Sequence, residues 1–118
     1  MKRKHHELNA WQEAMRLAKD IYELTSTFPK EETYSLTSQM RRAAVSIPSN
    51  IAEGAARTSN KEFLHFLSIA RGSLSELETQ VILSQDVGYD TRVINVLPRI
   101  EATFGLLGGL IKSIHKRI

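Results

Sequence analysis

The chain has 118 residues, 42% apolar and 25% charged, with no cysteine and a formal net charge of +3. That length supports one domain, 1–118, with a core of its own. The missing cysteine excludes a disulfide framework, a thiolate zinc site and a cysteine nucleophile, and it fits a reducing compartment.

The start, Met1-Lys2-Arg3-Lys4-His5-His6-Glu7, is basic but has no apolar run behind it, so no secretory signal is expected. The first helix is expected over 8–26. Leu8, Trp11, Met15, Ala18 and Tyr22 form one apolar stripe, and Ala10, Ala14, Leu17, Ile21 and Leu24 form a second beside it. Phe28-Pro29 ends this helix, because the residue before proline is pushed out of the α region. Lys30-Glu31-Glu32 reads as a solvated turn.

The second helix is expected over 35–57, with Leu36, Met40, Ala43, Ala44, Ile47, Ile51 and Ala55 as its stripe. Its alanines allow close approach to a neighbour. Pro48 and Gly54 stand inside it, and an interior proline costs roughly 3 kcal/mol. The pair marks either a functional bend or a packing device, and the surrounding alanines favour packing; Ser46 or Ser49 is available to the carbonyl that Pro48 leaves without a donor, and Asn50 and Glu53 are available for local caps or cross-protomer bonds.

The third helix is expected over 60–87. Ser59-Asn60-Lys61-Glu62 is a capping box, and the stripe Phe63, Leu67, Ala70, Leu74, Leu77 and Val81 follows it. Gly88 marks the stop. The fourth helix is expected over 91–116, with Asp90 as its N-cap and Val93, Leu97, Ile100, Phe104, Leu107, Ile111, Ile114 and Ile118 as a regular coiled-coil-like stripe. Pro98 kinks this helix or marks its true start, and Gly105, Gly108 and Gly109 permit close contact. The longest apolar run, Phe104 to Ile111, is far shorter than the ~20 residues of a membrane helix. A soluble, cytoplasmic protein is expected.

Four helices joined by short turns predict an all-α, up-down-up-down bundle. The windows 1–7, 53–62 and 112–118 then share one pole. They hold Lys2, Arg3, Lys4, Arg57, Lys61, Lys112, Lys116 and Arg117 against Glu7, Glu53 and Glu62, a net of +5. Elsewhere eight basic residues face ten acidic ones, and the opposite pole, with Lys30, Glu31, Glu32, Asp86, Asp90 and Arg92, is mildly acidic.

The run Gln39-Met40-Arg41-Arg42-Ala43-Ala44-Val45-Ser46-Ile47-Pro48-Ser49-Asn50-Ile51-Ala52-Glu53-Gly54, then Arg57, continues into the segment from Glu62-Phe63-Leu64-His65-Phe66 to Leu77-Glu78-Thr79-Gln80. With Trp11-Gln12, Ala14-Met15 and Phe28-Pro29, these residues resemble the four-helix-bundle proteins encoded within intervening sequences of bacterial 23S ribosomal RNA genes. The likeness spans nearly the whole chain and is weakest after Gly88. The resemblance implies a ring-shaped homo-oligomer, commonly a pentamer. The family also includes the accessory variability determinant proteins of diversity-generating retroelements, which are similar in fold and which bind nucleic acid and a partner reverse transcriptase through basic surface.

No catalytic constellation stands out. A carboxylate-metal bundle needs two Glu-x-x-His motifs, and only Glu62 to His65 is present, with His65 off the core stripe. His5-His6 reads as a disordered terminus more than as a stray metal site, and His115 as a complement to the helix dipole. Gly105, Gly108 and Gly109 lack the strand and lysine of a phosphate loop, and Ser46, Ser49 and Ser73 lack a base. No enzyme, cofactor or metal is therefore expected.

Arg41, Arg42 and Arg71 are mid-helix cations that either pair with Glu53, Glu76 or Glu78 or touch phosphate as secondary sites. Trp11 and Phe66 read as core or interface more than as base-stacking platforms. The expectation is a homo-oligomer, with the second stripe of helix one between subunits. It binds structured RNA, ribosomal or precursor, through the eight basic residues of the pole. The rival is a scaffold that docks a reverse transcriptase or another protein.

Overall fold

The computed structural model describes residues 2–89 and 93–118. The chain forms four helices, α1 (Asn9–Thr25), α2 (Leu36–Ala55), α3 (Asn60–Asp86) and α4 (Val93–His115), with 3₁₀ turns at Lys4–Glu7 and Lys30–Glu32. No strand occurs among the described residues. Each helix packs on its sequence neighbours, and α4 closes back on α1, giving a bundle of 45 × 23 × 23 Å.

Local chemistry sets the helix ends. At the start of α3, Glu62 N–H donates to Ser59 Oγ at 3.1 Å, and the hydroxyl donates in turn to Glu62 Oε2 at 3.2 Å. The glutamate thus closes the cap through the hydroxyl, not through the cap amide the capping-box pattern predicts. At the other end of α3, Gly88 takes φ +82°, its N–H donates to the Gln85 carbonyl and that of Tyr89 to the Ser84 carbonyl. This is a Schellman ending, and the positive φ is why glycine stands there. It delivers Tyr89 to the α1–α2 connection, where the phenol donates to Glu32 Oε2 and the ring lies 5.1 Å from Phe28. The proposed Asp90 cap, and Arg92 of the acidic pole, lie outside the described residues.

The core corrects two expectations. On α1 it is the second stripe, Ala10, Ala14, Leu17, Ile21 and Leu24, that is buried within the protomer and not between subunits. The first stripe borders the core: Leu8, Trp11 and Ala18 pack partly against it, while Met15 and Tyr22 are 46% and 45% exposed. The aliphatic and small side chains lose nothing by full burial, whereas Trp11 and Tyr22 carry polar tips. On α4 the face is rotated: Val96, Ile100, Thr103, Leu107 and Ile114 are buried, while Leu97, Phe104 and Ile111 are half-buried and Ile118 is 70% exposed. Thr103 tolerates the core because its hydroxyl donates to the Arg99 carbonyl at 2.7 Å. Gly105, Gly108 and Gly109 make no close contact; a Cβ on any of them would meet nothing within 4 Å.

Helix α2 runs unbroken through Pro48, which is buried. Ser46 does not serve the carbonyl that proline orphans. Its hydroxyl pairs with Ser73 Oγ at 2.8 Å, stitching α2 to α3, and takes an N–H from Asn50 at 2.9 Å. Near the end of α2, Gly54 is the point of closest approach. A Cβ there would lie 2.9 Å from Phe63 Cδ1 and from Phe66 Cβ, and 3.2 Å from the Phe63 carbonyl oxygen. Helices α1 and α4 are tied instead by charge: Arg99 donates to Glu13 at 2.7 Å and to Asp20 at 2.6 Å.

Gly54→Ala should therefore destabilise the fold by about 1–3 kcal/mol through overpacking, against the stabilisation an alanine gives in an open helix. The chemical-denaturation midpoints of Gly54→Ala and Gly108→Ala, which adds its methyl to open space, measure the contrast.

Candidate nucleic-acid interface

The up-down course brings the three basic windows to one end. Lys4 Nζ lies 5.1 Å over the ring of Phe63, which joins the first window to the start of α3. Residues 56–59 connect α2 to α3 at the same end and carry Arg57, with Lys61 one turn on. Leu8, Asn9 and Ala10 share an open groove of about 300 Å³ with Gly105, Leu106, Gly109 and Leu110, so the last turn of α4 with Lys112, and then Lys116 and Arg117, runs past the start of α1.

The cations at this end are in different states. Lys2 pairs with Glu7 at 3.2 Å. Arg57 pairs with Glu53 at 3.1 Å while stacking 4.8 Å over Phe66. Among the described residues no carboxylate pairs with Lys4, Lys61, Lys112, Lys116 or Arg117, and all five are exposed. Exposed pairs such as Lys2–Glu7 hold their cation weakly, by about 0–1 kcal/mol. A phosphate can displace such a partner. The Ser59 cap holds the α2–α3 connection in place and fixes where Arg57 and Lys61 emerge.

The secondary candidates separate. Arg41 is committed to the fold: Nε donates to Thr25 Oγ1 at 2.8 Å, Nη2 to the Tyr22 carbonyl at 3.3 Å, and the guanidinium lies 4.6 Å over the Tyr22 ring. It closes the C-terminal end of α1, where orphan carbonyls favour a cation, and pairs with none of Glu53, Glu76 or Glu78. Arg42 and Arg71 are exposed with no ion pair among the described residues. Trp11 and Phe66 are half-buried, Trp11 beneath His5 and His6 and Phe66 beneath Arg57. Neither offers an open stacking face.

The sequence reading missed the Arg99 cluster. Glu13 and Asp20 stand two turns apart on one side of α1, a spacing that presents two carboxylates to one guanidinium. The groove beside it, lined by Asp20, Glu23, Leu24, Asn95, Val96 and Arg99, holds about 190 Å³, below the usual size of a small-molecule site. Among the described residues no three histidine or carboxylate side chains converge as a metal site, and no described helix is long and apolar enough to cross a membrane.

The model of the 23S rRNA-intervening sequence protein family matches residues 6–102, and the chain belongs to that family. Comparison with curated proteins returns no match. The matched span includes Arg57 and Lys61, whereas Lys2, Arg3, Lys4, Lys112, Lys116 and Arg117 lie outside it.

Arg41→Gln should lower stability by about 1–2 kcal/mol, since a charge-assisted bond and a cation–π contact are lost together. Arg42→Gln should stay within about 0.5 kcal/mol of the parent, as for ordinary surface changes. Paired urea titrations check both.

Proposed function

We propose that this member of the 23S rRNA-intervening sequence protein family is a non-enzymatic binder of structured RNA, ribosomal or precursor, acting through phosphate contacts at its basic pole. The observation that carries this reading is the set of exposed cations at one end of the bundle, Lys4, Lys61, Lys112, Lys116 and Arg117, that no carboxylate among the described residues neutralises. Phosphate contacts of this type position a protein without reading bases, and their strength falls steeply with salt. The cysteine-free sequence supports a reducing setting, the bacterial cytoplasm.

The working form is a homo-oligomer, a ring of about five copies by the family resemblance. Symmetry repeats the basic pole in each subunit, so weak contacts act together. The outward face of α1 supports the assembly: Met15 and Tyr22, with Val45 of α2 (43% exposed), leave apolar area in water along one side of the bundle. This face takes the place of the second α1 stripe, which the protomer's own core uses.

Two experiments test the reading. In anisotropy titrations with a structured RNA, the triple variant Lys112→Gln, Lys116→Gln and Arg117→Gln should lower the slope of log affinity against log salt by roughly 2–3 per protomer bound. An unchanged slope would move the contact elsewhere. Absence of binding at low salt would favour the scaffold that docks a reverse transcriptase or another protein. Separately, Met15→Glu should reduce the mass seen by light scattering without loss of helicity; an unchanged oligomer would remove this face from the interface.

A further inference from the structure

We propose that the 3₁₀ turn Lys4–Glu7 is a proton-released latch on the basic pole: its two imidazoles hold it against Trp11 while neutral, and their protonation lets it go. Its use in RNA binding presupposes the reading of that pole given above; the latch itself does not.

The bond made by His6 uses the lone pair of a ring nitrogen. The Arg3 backbone N–H donates to His6 Nδ1 at 2.9 Å, and a protonated Nδ1 is a donor that cannot accept it. The Gln12 side-chain amide donates to the His6 backbone carbonyl at 2.7 Å, which ties the backbone of the turn to α1. His5 stands edge-on at 4.4 Å from His6 and at 5.0 Å from Trp11, and His6 lies 5.4 Å from Trp11. Two imidazolium charges at that separation repel.

Among the described residues no carboxylate outside the turn is placed to compensate them. Within the turn and beside it stand Arg3 and Lys4, and Glu7, in an exposed pair with Lys2, moves with the turn and does not favour its docked position. On α1 the nearest carboxylate in sequence, Glu13, is held by Arg99 and Arg16. On α2 Glu53 is held by Arg57, and at the start of α3 Glu62 accepts from Ser59, with Lys61 adding a further positive charge. Burial first, then the positive charge of His6 and of Arg3, holds the His5 imidazole below its ordinary pKa.

A group whose pKa is depressed in the docked state binds more protons when released. Docking by His5 is therefore fully favoured above about pH 6.5, the ordinary imidazole value, and weakens as pH falls below it towards the depressed value of the docked ring. Release adds imidazolium charge to the pole and lets the basic segment 2–4 follow an RNA backbone.

Trp11 is the only tryptophan, so its fluorescence reports this corner alone. The test is acrylamide quenching of the full chain without RNA, from about pH 8 to about pH 5, with helicity followed in parallel. The quenching constant should rise about twofold on acidification at constant helicity, and stay flat in the variant His5→Asn with His6→Gln. Flat quenching in the parent, or a rise that persists in the double variant, would overturn the latch. A second arm compares RNA affinity of parent and double variant at both pH extremes. A quenching transition without RNA binding at any pH would sustain the latch and overturn the RNA reading; RNA binding with flat quenching would do the reverse.

Discussion

The contact between α2 and α3 at Gly54 is the constraint on which the basic end of the bundle depends. A helix pair can meet this closely only where one side chain is absent, and Gly54 gives its place to Phe63 and Phe66. The alanines Ala43, Ala44 and Ala55 keep the rest of the seam narrow, and the Ser46–Ser73 bond pins it midway. With the two helices closed to their ends, a connection of four residues, 56–59, suffices between them. That short connection sets Arg57 and Lys61 at the pole, and Phe63 at its base carries Lys4 above its ring.

The bundle uses its cations in two ways. Arg41 and Arg99 are struts. Each reaches from one helix to groups on another, and each is satisfied by two polar partners that fit a planar guanidinium. Lys61, Lys112, Lys116 and Arg117 have no such partners among the described residues and stand in solvent. The cations away from the basic end thus help to hold the bundle together, while those at that end stand unpaired among the described residues. Salt should affect the two sets differently, since exposed charges are screened and half-buried pairs much less so.

The local features of this fold were legible in the sequence. Ser59 and Gly88 act within a few residues of themselves, as N-cap and Schellman glycine, and their chemistry is written in the neighbouring letters. Gly54 was legible as a packing residue because alanines surround it. The rotational setting of helices was less so. Both α1 stripes are apolar, and periodicity alone does not say which one turns inward; the polar tips of Trp11 and Tyr22 were the available signal. On α4 the column Ile100, Leu107 and Ile114 was read correctly, but the column beside it was taken as Leu97 and Phe104, whereas the buried one is Val96 and Thr103, one position earlier at the same seven-residue spacing; a threonine in that column hides it from an apolar count. The partners of Arg41 and Arg99 lie 16 or more residues away and leave no mark on local spacing. The same applies to the His5–His6–Trp11 cluster, which looks in the sequence like a loose basic start.

The central claim is that RNA meets this molecule at one end of the bundle. Hydrogen–deuterium exchange with and without a structured RNA duplex, at low salt, tests it most directly. The account predicts protection confined to the turn at Lys4–Glu7, the α2–α3 connection and the last turn of α4. Protection centred on the mid-helix face of Arg42 and Arg71, or no protection at all, would contradict it.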